Sequence, residues 1–341
     1  MKIKYNIWAY FTCLIILFLS MGYALFNDSL SIGATGIIDV PSGTRFSDVI
    51  LSKEVPTLND GDGLYSYDSR YYFTGINVDN YVNFNDEIWR IVSINEDGSV
   101  KIVKDTVVEK NKIVNIENET DFWLNLTGND NRNKVINNGK VNFDIKGRRY
   151  PSEYASLTNN YCIPTYNGCN AYATGTFFDK VVNLDSLMKI YLEGVFFEHM
   201  SRFAREQVQN YDLNIGIVET NKTIDVVFSK ESENIVNSYI GLLNVSDYVM
   251  ATNDTTCRKS FDKENCVNSN WLFLDGFQFY LLNGKVTSTN AQVWTVSAAG
   301  KITSQDASNQ FYLRPVVVLD KNISATGEGT IDSMYELGEK L

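Results

Sequence analysis

The sequence predicts an α+β fold, mostly antiparallel β-sheet with two or three short helices, behind a hydrophobic N-terminal export or membrane helix. Three observations lead there. Aromatic and β-branched residues gather in two runs, Tyr71-Tyr72-Phe73 through Trp89-Arg90-Ile91-Val92 and then Val100-Lys101-Ile102-Val103, parted by a polar segment that carries Asp97-Gly98. That is the composition of two antiparallel strands joined by a tight connection. The chain holds 20 Tyr and 19 Phe against 5 Pro, which favours strands and leaves no Pro-rich linker. Helical spacing of apolar residues is confined to a few short stretches. Because apolar residues stand at successive positions in the hairpin, Ile91-Val92 and Ile102-Val103, both of its strands are expected inside the domain, with Trp89 and Ile91 in the core.

A hydrophobic share of 44% over 341 residues is ample for one large domain with a real core. A formal charge of −11, a single histidine and no run of Lys and Arg argue against a nucleic-acid partner, which needs a gathered basic surface.

Lys2 and Lys4 precede an apolar segment from Ile7 to Phe26, closed by Asn27 and Asp28. These flanks keep the N-terminus inside and send the remainder outward. Ile7 to Leu19 has signal-peptide length, and Gly22-Tyr23-Ala24 offers small residues for cleavage near Ala24. The whole run is also long enough to span a bilayer as a helix of about 20 residues. The chain is therefore expected either at the cell membrane, single-pass with its C-terminal domain outside, or secreted after cleavage. Gly22 to Asp28 resembles export signals of Gram-positive matrix and surface proteins. Cys13 lies within the apolar run and is read as filler.

Residues 29–62 are read as a strand and linker. Leu30, Ile32 and Ala34 alternate with small polar residues, and Pro41, Gly43, Pro56 and Asn59-Asp60-Gly61-Asp62-Gly63 have connector chemistry. Asp60 and Asp62 are assigned to a turn, since the ligand spacing and closing Glu of a calcium loop do not follow. A single extracellular α+β domain is expected over 63–335, with a loop-rich insertion around 111–180 anchored by residues such as Phe122 and Trp123, and a tail over 336–341. Leu184, Leu187, Met188, Tyr191 and Val195 fall at helical spacing. So do Phe197, Met200, Ala204 and Val208, with Glu198–Arg202 and Arg202–Glu206 set for ion pairs. His199 has no ligand-spaced partner and is read as an ordinary helix residue.

Tyr239 to Ala251 reads as a strand followed by a short Ser-capped helix. Further on come Asn270-Trp271-Leu272, Val293-Trp294-Thr295-Val296 and Leu313-Arg314-Pro315-Val316-Val317-Val318-Leu319. Together with the Trp-Arg-Ile-Val hairpin and Gly241-Leu242-Leu243-Asn244-Val245-Ser246-Asp247-Tyr248, these blocks resemble an uncharacterised surface-protein family of low-GC Gram-positive bacteria. The order of elements resembles the C-type-lectin-like group that includes the sulfatase-modifying factors, an analogy of fold that carries no function. The lectin calcium motifs are absent. Trp271, Trp294 and Arg314 are assigned to the structural core, Arg314 pairing with a carboxylate or carbonyls at the rim.

Beyond Cys13 there are four cysteines, with three possible connectivities. Local bridges Cys162–Cys169 and Cys257–Cys266 are expected, because each pair brackets a short turn-like segment. Neither spacing supports zinc or thioredoxin chemistry.

These readings favour a non-catalytic cell-surface binding or adhesion module for a glycan or protein ligand, without cofactor or metal, touching the membrane only through its N-terminal segment. The alternative is an extracellular enzyme of the sulfatase-modifying-factor-like type, or a carboxylate-based hydrolase. One histidine and no phosphate-binding Gly loop leave little else.

Overall fold

The computed structural model describes residues 43–54, 61–108, 136–137, 140–141, 188–189 and 192–341, with short gaps at 221, 262–263, 287–290, 307–308 and 310. The chain divides after Asp39 into two units, and every described residue belongs to the second, Val40–Leu341. The apolar N-terminal run, the expected Leu30–Ala34 strand, Cys162, Cys169 and most of the 111–180 insertion lie outside the described residues.

The first described element is a helix, Phe46–Lys53, where a connector was expected. Phe46, Val49 and Ile50 share one face at i, i+3 and i+4 and are buried. Only two turns long and hemmed in by Gly43 and Pro56, the pattern is short enough to be overlooked. Two hairpins follow. β1 (Gly63–Tyr67) and β2 (Arg70–Thr74) are joined by Asp68-Ser69, and β3 (Tyr81–Phe84) and β4 (Glu87–Ile94) by Asn85-Asp86. All four turn residues have φ between +48° and +58°, the left-handed backbone that matches a two-residue turn to the twist of its strands.

β5 (Val100–Lys104) pairs antiparallel with β4, and the Asn95–Ser99 connection turns through Gly98 at φ +86°. This is the Trp89 hairpin. A bulge between Ile91 and Ser93 divides β4, so that its first half pairs with β3 and its last residues with β2. Both strands stand deep in the molecule; from Trp89 to Ile94 and throughout β5 every residue is buried. Short strands β6 (Ile136–Asn137) and β7 (Lys140–Val141) come next.

Of the first expected helix, Leu184, Leu187 and Tyr191 lie outside the described residues; Met188 and Lys189 are helical and Leu192–Phe197 forms a wide π-type turn, while the second expected helix is shorter than its pattern and covers Arg202–Gln207. Ser201 caps that helix, its hydroxyl accepting from the Ala204 amide at 3.1 Å. Because the helix begins late, Arg202 reaches Glu206 as expected, whereas Glu198 pairs with Arg205 instead of Arg202.

β8 (Tyr211–Asn214) and β9 (Ile235–Ser238) make a separate two-stranded ribbon around an unexpected helix, Ile224–Glu231. β10 (Ile240–Leu242) leads into the helix Val245–Met250, which is capped by Asn244 in a reciprocal box with Asp247, not by Ser246. After the helix Thr255–Lys259 and a 3₁₀ turn come β11 (Phe279–Val286), β12 (Ala291–Val296), β13 (Ile302–Asp306), β14 (Phe311–Tyr312), β15 (Pro315–Leu319), β16 (Ile323–Thr326) and β17 (Tyr335–Lys340).

The main sheet runs β10-β15-β5-β4-β3-β17-β16, with β1 and β2 joined through β4; the second runs β13-β12-β11-β14-β7-β6. Pairing is antiparallel except for β17 with β3 and β14 with β11. The fold is thus mostly β with short helices, an α+β arrangement. β17 corrects the expected tail: Tyr335–Lys340 is an interior strand of the main sheet, pairing with both β3 and β16. Its sequence, Tyr-Glu-Leu-Gly-Glu-Lys, is too charged to announce burial, yet Tyr335 is wholly enclosed and meets Phe46 edge-on at 5.2 Å. No described helix is long and apolar enough to cross a membrane.

The side chains assigned to the core from sequence, Trp89, Ile91, Trp271, Trp294 and Arg314, are each buried. Trp89 packs edge-on against Phe84 at 5.2 Å, and Trp271 donates its indole N–H to the Phe73 carbonyl at 2.7 Å. Trp294 donates likewise to Val218 at 3.0 Å. Arg314 finds carbonyls, not a carboxylate: it donates to Lys104 and Asp105 at 2.9 Å each and to Leu272 at 2.6 Å. Burial draws its pKa down to about 10, so it remains charged at neutral pH. Cys257 and Cys266 form a disulfide that closes the segment leading to Asn270 and Trp271.

Candidate functional site

Arg70 opens β2 immediately after the Asp68-Ser69 turn, and Tyr72 follows two residues later on the same face of the strand. The ribbon strand β8 brings Tyr211 to the other side. Burial works against the Arg70 charge, but Tyr72, Tyr211 and Asp247 outweigh it and hold the pKa above its ordinary value. The guanidinium is thereby fixed as a cation between two phenols.

Two open clefts meet at this residue. One, of about 530 Å³, is walled by Tyr67, Asp68, Asp225, Phe228, Ser229 and Ser232. The other, of about 550 Å³, is walled by Asn95, Glu96, Asp97, Gln209, Asn210, Tyr211, Asp212 and Asn237. Both volumes fall in the range of ligand sites. The first wall is stiffened by a column of rings in which Tyr67 stacks between Tyr65 at 6.3 Å and Phe228 at 5.6 Å, with Arg258 over Tyr65 at 3.9 Å. Tyr67 also donates its hydroxyl to Asp225; burial first, and that carboxylate second, push the phenol pKa up.

Behind Arg70 lies a buried polar network around a cavity of only about 20 Å³, room for little more than one water-sized group. Lys101 donates to Asp247 at 2.5 Å and to the Asn244 side chain at 3.1 Å. Asp247 also accepts the Asn244 amide at 2.7 Å. Asn283 accepts from Val245 N at 3.0 Å and donates to Gly216 O at 3.0 Å. Glu231, at the end of its helix, accepts from the Ser246 amide at 2.9 Å and the Ser246 hydroxyl at 2.5 Å. Burial raises its pKa to about 8 against the pull of Ser246, with Asp247 adding to the rise. It is therefore mostly protonated at neutral pH. The network's charged groups thus have partners inside the protein, as burial demands. It holds the ribbon, the Ile224–Glu231 helix and the Asn244 cap against β5, and it forms the floor of the clefts.

The residues assigned from sequence are not brought to this site. Trp89, Ile91, Trp271, Trp294 and Arg314 serve the core, and the Cys257–Cys266 bridge pins a loop. Arg70, Tyr72 and Tyr211 carry no motif that points to a site, although the aromatic run leading into the Trp89 hairpin begins one residue after Arg70. The signal was faint, because the cleft is assembled from positions about 140 residues apart. Asp62, weighed as a calcium ligand, accepts from the Asn77 amide and from the side chains of Asn77 and Asn253, and so acts as a loop pin. Among the described residues no group of His, Cys, Asp and Glu is arranged to hold a metal ion. Comparison of the chain with protein-family models, curated proteins and solved structures finds no match in any of the three.

Proposed function

We propose that the protein is a non-catalytic binding module, carried on the outside of a cell by its N-terminal apolar segment and presenting the cleft across Arg70 to a surface ligand. The observation that carries this reading is the contrast between the clefts and their floor. The spaces large enough for a ligand at Arg70 are open and lined by amides, hydroxyls, aromatic edges and five carboxylates, of which Asp225, Asp97 and Asp212 are already hydrogen-bonded to neighbouring groups. The cluster of Lys101, Asp247 and Glu231 is sealed beneath them around a cavity too small for a substrate. Binding needs the former; acid–base catalysis needs reactive groups within hydrogen-bond reach of a bound molecule.

Kinship with a Gram-positive surface-protein family and a C-type-lectin-like type of domain are part of the proposal; they rest on the resemblance of the sequence blocks, and the mostly β arrangement with short helices is compatible with them. Such scaffolds carry function in their loops and clefts. Against a cysteine-based enzyme stands the Cys257–Cys266 disulfide, which leaves that pair no free thiol.

The test is a screen of the full-length chain in detergent against glycan and surface-protein preparations, run beside a hydrolase and oxidase panel. Saturable capture, weakened by Arg70→Ala and unaccompanied by turnover, is expected. Turnover lost on substitution of one carboxylate or cysteine, with the fold intact, would overturn the reading.

A further inference from the structure

We propose that the occupant of the Arg70 cleft is an uncharged, N-acetylated glycan chain. This rests on the binding reading and goes on to the chemistry of the ligand.

The sign of the field excludes anions. Asp68 and Asp225 border one cleft, and Glu96, Asp97 and Asp212 the other. One guanidinium faces five carboxylates, on a chain whose formal charge is −11. A phosphate- or uronate-bearing polymer meets repulsion on both sides of Arg70. Three of the five carboxylates are engaged by neighbours and so do little for a cationic ligand. Asp225 is taken by Tyr67, Asp97 accepts the Ser99 amide at 3.0 Å and hydroxyl at 2.6 Å, and Asp212 accepts from Asn237 at 2.9 Å. The cation held at the meeting point opposes a second one.

Asp68 and Glu96 are exposed, one in each cleft, and the other open groups are neutral. Asn210 is exposed and Gln209 half-exposed, and neither side chain makes a hydrogen bond with another described residue. Each offers a donor and an acceptor side by side, the complement of an acetamido group's carbonyl and N–H. Tyr211, half-buried beside them and in no ring contact with another described aromatic, offers a face against which a sugar ring can pack, a use to which tyrosine is well suited because it loses little conformational freedom. Two clefts of about 550 Å³ or slightly less, meeting at Arg70, suit a chain of about four rings better than a single compact molecule.

The probe is the pentamer of β-1,4-linked N-acetylglucosamine, titrated into the full-length chain in detergent by calorimetry, with cellopentaose, oligogalacturonate and a peptide library in parallel. The proposal expects saturable binding of the N-acetylated pentamer that is at least about tenfold tighter than that of cellopentaose. The Gln209→Ala/Asn210→Ala double variant, whose side chains hold no part of the fold, should weaken it at least about tenfold, and a rise in salt from about 0.05 to 0.5 M should change it less than about twofold. Preference for oligogalacturonate, equal binding of cellopentaose, or no glycan binding overturns it. Peptide capture that the double variant abolishes would sink the glycan assignment while leaving the binding reading standing. Capture of surface material untouched by both this variant and Arg70→Ala would remove both.

Discussion

Arg314 donates to the Leu272 carbonyl at 2.6 Å, and through that bond the start of β15 is fastened to the segment carrying Trp271. The same guanidinium holds the end of β5 through Lys104 and Asp105. Three carbonyls from two separate segments thus converge on one side chain with 1% of its surface exposed. Arg314→Met is expected to lower stability by about 3 to 5 kcal/mol, since the carbonyls would lose a charged donor and stay buried. Arg314→Lys should lose nearly as much, because a single ammonium cannot reproduce the planar fork. Urea unfolding of both variants checks this; a lysine variant within about 1 kcal/mol of the parent would show that charge alone suffices.

Trp89 is wholly enclosed between β3 and β5, against Phe84. Trp89→Ala is expected to lower stability by about 3 to 5 kcal/mol through the cavity it leaves. The shift in the thermal unfolding midpoint measures it.

Glu231 gives the fold a pH dependence of unusual sign for a carboxylate. Its folded pKa of about 8 lies above the ordinary 4.5, so the folded state binds the extra proton. The associated stability is fully present below the unfolded pKa and is lost as pH rises from about 4.5 through 8, by at most roughly 5 kcal/mol above that range. Glu231→Gln keeps a partner for Ser246 and carries no charge. It should flatten the fall in urea midpoint between about pH 5 and 8.5, and a parental slope in the variant would remove Glu231 as the cause.

The Cys257–Cys266 bridge closes a loop of nine residues' separation, which loop-entropy arithmetic values at roughly 2.5 kcal/mol. The double Cys→Ser variant is expected to lose about that much, with its first amide-exchange changes at Asn270 and Trp271, where Asn270 bridges to Gly75 and Thr252. Faster exchange confined to other regions would contradict this placement.

What the sequence displayed well was dense local chemistry. The Trp89 hairpin, the burial of Trp271 and Trp294, and the Cys257–Cys266 pairing each follow from residues close together in the chain. The Phe46–Lys53 helix and β17 were hidden for a different reason: each is stabilised by what it packs on, Phe46 by Tyr335 and β17 by β3, and not by its own pattern. The cap on Val245–Met250 shows the same limit within a few residues. Asn244 and Ser246 both have the chemistry of a cap, and Asn244 holds that place because Asn283 and Lys101 engage its side chain while Glu231 engages Ser246. The clefts at Arg70 draw Tyr67, Phe228 and Tyr211 from three segments, so no spacing along the chain could announce them.

The central claim is that the cleft binds and does not transform. It is tested most directly by mass spectrometry of a captured surface ligand after prolonged incubation with the parent chain, Glu231→Gln and Asp247→Asn. The account predicts that the ligand is recovered at unchanged mass in every case. A new product with the parent, missing with a folded Glu231→Gln or Asp247→Asn variant, would make the sealed network a reaction centre and contradict it.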